Sequence, residues 1–215
     1  MSPASDHFDI PQHLVLAGVS WGYYEHTLEQ IGDRPLRVSF LDGEIEIISP
    51  LTEHETFKKA IARLIETLTL ELGIAHKSFG STTFRVEEKS AGTEPDECYY
   101  FHNIDGIKGM RRFDPLIHPA PDLVVEVDIL SPSVPREPIC ARLGVSEIWR
   151  YNGSRLEVRI LGGNKVYTTA VSSHVFPYLP MARFAEFISP MIERDETAVL
   201  REFRDWVRSL PQIHH

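Results

Sequence analysis

The segment Asp122-Leu123-Val124-Val125-Glu126-Val127-Asp128-Ile129-Leu130 sets carboxylates inside a run of branched aliphatics. Such a run reads as a buried β-strand. A carboxylate in apolar surroundings is costly unless it is paired or bound to a metal. Glu126 and Asp128 stand two apart, so a strand directs both to one face. Acids kept in such a place point to chemistry, and a divalent-metal site on a central strand is the first reading.

The second ligand follows from distance. Asp122 and Glu126 lie four apart on one strand, which separates their Cα atoms by about 13 Å, too far to share a small cation that wants oxygens at about 2.1 Å. Asp96, in Glu94-Pro95-Asp96-Glu97, opens a different strand. Neighbouring strands run about 4.8 Å apart, so Asp96 and Glu126 can grip one ion if their strands adjoin, their side chains face each other and solvent has room between them. These two acids are the expected metal ligands, and Asp122 is read as a turn residue at the start of its strand. The plain alternative makes Glu126 and Asp128 structural ion-pair partners of Arg85, Arg136 or Arg150.

The elements that must hold these groups can be read in order. Leu14, Leu16, Trp21, Tyr24 and Leu28 suggest a short helix within residues 14–31. Asp42-Gly43 between Arg37–Phe40 and Glu44–Ile48 predicts a hairpin. Phe57, Ile61, Leu64, Ile65, Leu68 and Leu72 recur at helical spacing, predicting a helix from Glu53 to Leu72 that stops at Gly73. Strands are expected at Ser81–Val86 and Cys98–Phe101, with Glu87–Thr93 as a turn between them and a long loop over 103–121. After the acidic strand and a break at Ser131-Pro132-Ser133 come a short helix near Glu137–Leu143 and strands at Glu147–Tyr151, Leu156–Leu161 and Val166–Thr169. A last helix near Thr197–Leu210 carries Val199, Leu200, Phe203, Trp206, Val207 and Leu210. Trp149 and Tyr99-Tyr100 read as core, whereas Arg111-Arg112 in the long loop reads equally as a solvated turn or a phosphate contact. The sum is α+β, a mixed sheet flanked by helices.

With 215 residues, 42% hydrophobic and 25% charged, the chain has material for one core. No apolar run is long enough to span a membrane and the start lacks a signal-peptide pattern, so the expected setting is the cytoplasm with no membrane partner. Cys98 and Cys140 are expected to be free thiols. A net charge of −9 argues against coating nucleic acid by bulk electrostatics, although bound cations and a local basic rim can offset it.

Several segments, in order, resemble the Uma-two branch of the PD-(D/E)XK nuclease superfamily. They are Asp42-Gly43-Glu44 with Ser49-Pro50, His54 opening a helix, Glu94-Pro95-Asp96-Glu97-Cys98-Tyr99-Tyr100, Pro121-Asp122-Leu123-Val124-Val125-Glu126-Val127, Leu143-Gly144-Val145-Ser146-Glu147-Ile148-Trp149-Arg150-Tyr151 and Phe203-Arg204-Asp205-Trp206-Val207-Arg208. The resemblance spans roughly residues 14–210. It implies a restriction-endonuclease-like domain over 14–190, an arm over 1–13 and a C-terminal helix over 191–215 packed on the same domain. It also implies an endonuclease that hydrolyses DNA with Mg²⁺ or Mn²⁺ held by Asp96, Glu126 and the Val127 carbonyl. The helix starting at Glu53, His54 and Glu55 would border the site, one acid adding a ligand through water.

The chain departs from that pattern where Glu-x-Lys would put a lysine, since Asp128 stands there. In the resembling branch the lysine comes from the following helix, in the slot of Arg136, and Cys140 replaces a tyrosine. An arginine holds phosphate well but stays protonated, so it cannot serve as a base. Asp128 is then an extra ligand or the partner of Arg136. The alternative function is a catalytically degenerate nuclease fold acting as a nucleic-acid-binding or assembly module. A two-carboxylate glycosidase, needing no metal, is a third class. A homodimer is the base-rate expectation, supported by hairpin strands and the apolar last helix.

Overall fold

The computed structural model describes residues 13–129 and 134–211. In chain order the elements are β1 (His13–Leu16), α1 (Trp21–Ile31), β2 (Arg37–Leu41), β3 (Glu44–Ile48), α2 (Thr52–Leu72), β4 (Lys77–Ser78), β5 (Phe84–Val86), β6 (Ala91–Thr93), β7 (Glu97–Tyr100), β8 (Leu123–Val127), α3 (Arg136–Leu143), β9 (Glu147–Tyr151), β10 (Leu156–Leu161), β11 (Tyr167–Ala170), α4 (Met181–Ala185), α5 (Pro190–Glu193) and α6 (Glu196–Ser209). The class is α+β, as expected. The expected mixed sheet has strand order β11-β10-β9-β8-β7-β4. Its one parallel pair, β8 with β9, is joined through α3, the kind of crossover a parallel pair requires. Beside it stands a second, wholly antiparallel sheet, β1-β3-β2-β6-β5, which the single-sheet reading did not anticipate.

Side-chain alternation divides the core into layers. Leu123, Val125, Val127, Trp149 and Tyr151 face α2 and α6, where Ile61, Leu64, Ile65, Leu68, Val199, Phe203 and Val207 close the main core. Val124, Cys98 and Ile148 face the other way, toward Ile139 and Cys140 of α3 and Phe84 and Ala91 of the second sheet. Val38, Phe40 and Ile45 lie on the far face of that sheet, covered by Tyr24 of α1. The β2–β3 hairpin, α2, α3, β9, β10 and α6 fall where the periodicity puts them. Val199, Phe203 and Val207 of α6 are buried in the main core, and Leu200, Trp206 and Leu210 are partly buried against it. Both cysteines are free and buried. Among the described residues no helix is long and apolar enough to cross a membrane.

Four local expectations need correction. Leu14 and Leu16 lie in β1, and the helix begins only at Trp21, where the Ser20 hydroxyl accepts the Tyr23 N–H at 3.2 Å. Leu72 sits in the last turn of α2 and is 43% exposed. The strand expected from Ser81 covers only Phe84–Val86. Glu87–Thr93 is not merely a turn, because Glu87–Lys89 forms a 3₁₀ turn and Ala91–Thr93 a buried strand. The arm expected over residues 1–13 lies outside the described residues except for His13, which starts β1, and so do Leu130 and the break at 131–133.

The hidden strand has a reason to lack large residues. A methyl group on Gly92 would overlap the Tyr24 hydroxyl and meet its ring at 2.7 and 2.8 Å. Gly92→Ala is therefore expected to destabilise the fold by about 1–3 kcal/mol, read from urea unfolding. Tyr24→Phe should rescue only part of this, because ring atoms also crowd the site. An unchanged unfolding midpoint would show that Tyr24 moves freely.

Candidate functional site between the two sheets

The β7–β8 register pairs Glu97 with Val125 and Cys98 with Val124, which sets Asp96 opposite Glu126 on the face turned toward the second sheet. The two acids thus stand on adjoining strands, as the reading requires. Asp96 is fully buried. Its Oδ2 accepts the Val127 N–H at 2.5 Å and lies 3.2 Å from His54 Nε2. Its Oδ1 meets the guanidinium of Arg37, which reaches in from β2. Arg37 also lies 3.3 Å from His54 Nε2 and donates to Glu55 Oε1 at 3.2 Å. A cation supplied by the chain thus stands against Asp96.

Glu126 is differently placed. It is 4% exposed, and its Oε1 has no hydrogen-bond partner among the described residues. Burial pushes its carboxyl up to about 7; Arg136 opposes this, Asp128 adds to it, and Arg37 and Arg150 oppose it further. Arg136, the first residue of α3, lies 3.1 Å from Glu46 Oε2 through Nη2, while its Nη1 is buried with no hydrogen-bond partner among the described residues. Glu126, Arg136, His54, Arg37 and Val127 line a cavity of about 50 Å³ under Ser49-Pro50. A larger groove of about 460 Å³ opens on Glu126, Asp128 and Arg136 from the side of Arg150 and Arg159. What sets α3 in place is Arg142, whose guanidinium pairs with both Asp42 oxygens at 2.6 and 2.5 Å and with the Lys89 carbonyl at 2.9 Å. Gly144, at φ +93°, ends that helix in the left-handed conformation glycine favours.

Each expected residue can now be located. Asp96, Glu126, Arg136 and His54 converge. Asp128 is paired with Arg150 Nε at 2.6 Å, one of the ion-pair partners weighed for it. Val127 engages Asp96 through its N–H. Of the two acids that open α2, Glu53 is exposed and makes no polar contact among the described residues, because it lies about 200° around the helix from Glu55. Glu55 is the acid that faces the cluster. Its carboxyl is held down to about 2 by the hydrogen bond with His54, against the cost of burial and with help from Lys58 and Arg37. Asp122 is a loop anchor: Oδ2 accepts the N–H groups of Phe101, His102 and Asn103, and Oδ1 accepts Asn103 Nδ2. Arg85 pairs with Glu25. The residues that the sequence reading missed are Arg37 and Glu46. Glu46 is fully buried and touches Arg136, His13 and the Val134 N–H.

Residues 23–178 match the Uma2 family, described as "Putative restriction endonuclease". The chain belongs to this family. A nuclease function in general is what membership supports. A solved structure titled "a putative nuclease belonging to DUF820 from Anabaena variabilis ATCC 29413" is similar at 15% identity and a TM-score of 0.43, covering 79% of this chain and 90% of that one. No curated protein matches the chain.

The divalent cation that the nuclease resemblance implies can be tested against this Uma2-family site. Among the described residues no three His, Cys, Asp or Glu side chains form a ready cluster. The orphan Glu126 oxygen is the hard, anionic donor such an ion seeks. Asp96 is a donor of the same kind, available once Arg37 withdraws. The residues fit the ion, with one seat open and the other held by an internal cation.

Proposed function

We propose that this chain is a divalent-metal-dependent endonuclease acting on DNA, with a site weakened by arginine in the lysine slot. One observation carries the reading: Glu126 Oε1 and Arg136 Nη1, an acceptor and a donor both buried without hydrogen-bond partners among the described residues, belong to residues that line the same cavity. Buried polar atoms are rarely left so. A cation beside the first and a phosphoryl oxygen beside the second satisfy both.

Asp96, Glu126 and the Val127 carbonyl would hold Mg²⁺ or Mn²⁺, which supplies Lewis acidity and a more acidic bound water. The chain's own groups account for the rest. Arg136 takes a phosphoryl oxygen and balances the charge that grows on it. His54 is the proton acceptor, its Nε2 beside Asp96 and its Nδ1 turned to Glu55 Oε1 at 3.4 Å. Water adds to phosphorus as it yields a proton to His54, one P–O bond breaks, and the leaving oxygen takes a proton from solvent. Asp128 fixes Arg150 at the rim.

Nicking of supercoiled plasmid in Mg²⁺ or Mn²⁺, abolished by EDTA, is the expected result. Arg136→Lys should raise the rate at least tenfold if that position also handles a proton, since general-base catalysis contributes about 10²–10⁴-fold. The Arg37 contact with Asp96 favours a second reading, a degenerate fold that binds nucleic acid without cutting it. Duplex binding with no nicking in either metal, before or after Arg136→Lys, would establish that reading in place of the first. Cleavage that survives EDTA would remove both.

A further inference from the structure

A second basic groove lies outside this cluster. It has a volume of about 430 Å³ and is lined by Arg85 of β5, Arg111 and Arg112 of the long loop, Thr82, Thr83 and Phe113, with Leu28 and Glu29 of α1 as its other wall; Arg85 is paired with Glu25, which leaves Arg111 and Arg112 facing one carboxylate. Several exposed arginines elsewhere are matched by acids, Arg142 by Asp42, Arg159 by Glu137, Arg194 by Glu202 and Arg208 by Glu71, while Arg34 and Arg201 have no ion pair among the described residues. Arg111 and Arg112 are exposed and have no hydrogen bond or ion pair among the described residues. Their loop is nonetheless anchored, because Phe113 packs edge-on against Phe84 with ring centroids 4.7 Å apart and joins the core. A chain with net charge −9 holds two adjacent guanidinium groups, without an ion pair among the described residues, beside a third on a fixed base.

We infer that this groove binds the phosphodiester backbone of nucleic acid beside the cutting site, an inference that rests on the nuclease reading above. Guanidinium forks match phosphate oxygens, and a local cationic seat is what a negatively charged body needs to hold a polyanion. A short run of chain links the groove wall to the strand that carries Asp96. The Ser81 hydroxyl donates to the Asp96 carbonyl at 3.4 Å, and the Thr83 hydroxyl, in the groove wall, donates to Glu94 Oε1 at 2.7 Å. Two residues of chain span at most about 7 Å, which is about two nucleotides of rise along one strand.

The test is fluorescence anisotropy of a labelled DNA duplex, with Ca²⁺ as the divalent ion, across a series of salt concentrations. The double variant Arg111→Ala/Arg112→Ala should keep the wild-type melting temperature, bind about tenfold more weakly and show a plot of log Kobs against log salt shallower by about 2. Arg111→Lys/Arg112→Lys should retain most of the slope. Wild-type affinity and slope in the alanine variant would overturn the inference while leaving the nuclease reading intact. Sensitivity to inorganic phosphate without any change in duplex binding would make this an anion site alone and also overturn it. Absence of duplex binding by the wild-type protein would remove both readings together.

Discussion

Glu126→Gln is expected to lower metal-dependent DNA nicking by about a thousandfold, some 4 kcal/mol of barrier, and to make the metal-free protein more stable than wild type above neutral pH. The first effect follows from removing the anionic donor with the open seat. The second follows from its surroundings. Burial raises the Glu126 carboxyl from an ordinary 4.5 to about 7. Below pH 4.5 the group is protonated in both the folded and the unfolded chain. As pH climbs from 4.5 through 7 the unfolded chain releases its proton first, so the folded state loses stability through this group over that window. Glutamine has no proton to lose and escapes the loss. Glu55 acts in a separate window: its carboxyl is lowered to about 2, so its contribution is present above pH 4.5 and fades as pH falls through 2. Urea unfolding at pH 5 and pH 8 in EDTA reads the difference, and Mn²⁺ should then raise the melting temperature of wild type but not of the variant. A stability difference that does not change with pH, or an equal response to Mn²⁺, would sink the assignment.

The acidic half of this site is legible in the sequence. An acid in a branched-aliphatic run can only be buried, period-two geometry sets its face, and a Pro-Asp pair opening the neighbouring strand supplies its opposite number. The cationic half is not legible, and the reason lies in the β2–β3 hairpin. Val38, Phe40, Ile45 and Ile47 alternate with Arg37, Ser39, Glu44 and Glu46. That is the pattern of an antiparallel pair with one face on the core and the other in water. Here the polar face turns toward the mixed sheet. Ser39 and Glu46 become fully buried, and Arg37 reaches Asp96. The fact that decides the matter is the packing of one sheet against another, which no local pattern carries. The second sheet was itself hard to foresee, since β6 is Ala91-Gly92-Thr93, whose small residues answer to the ring of Tyr24 rather than to strand preference. Glu53 and Glu55 are not separable in the sequence for a related reason: both suit the first turn of a helix, and only the packed orientation of α2 tells them apart.

Arg37→Met should have the largest effect of any single change on the metal-free protein. Asp96 and Arg37 are about 1% and 12% exposed at their side chains. Removing one member of a buried pair leaves the other charge without its partner, at a cost of about 3–5 kcal/mol, or roughly 10 °C of melting temperature in a chain of this length. The same change vacates the position at Asp96 that a divalent ion would take. Mn²⁺ should therefore bind the variant more tightly than wild type and recover much of the lost stability, as a ligand of the folded state must. Arg37→Met/Asp96→Asn is the companion, expected to regain stability without metal and to lose the response to Mn²⁺; it keeps the test decisive if the single variant is too unstable to study. Calorimetric titration and thermal unfolding with and without Mn²⁺ make both measurements. A variant as stable as wild type, or one indifferent to Mn²⁺, would show that the guanidinium is not standing in the ion's place. Nicking separates two roles that structure alone leaves joined. If tighter ion binding comes with faster nicking, Arg37 is a plug that metal must displace. If tighter binding comes with slower nicking, Arg37 swings from Asp96 onto the phosphate during the reaction and serves beside Arg136, which would explain why a site lacking the usual lysine keeps a second arginine within reach.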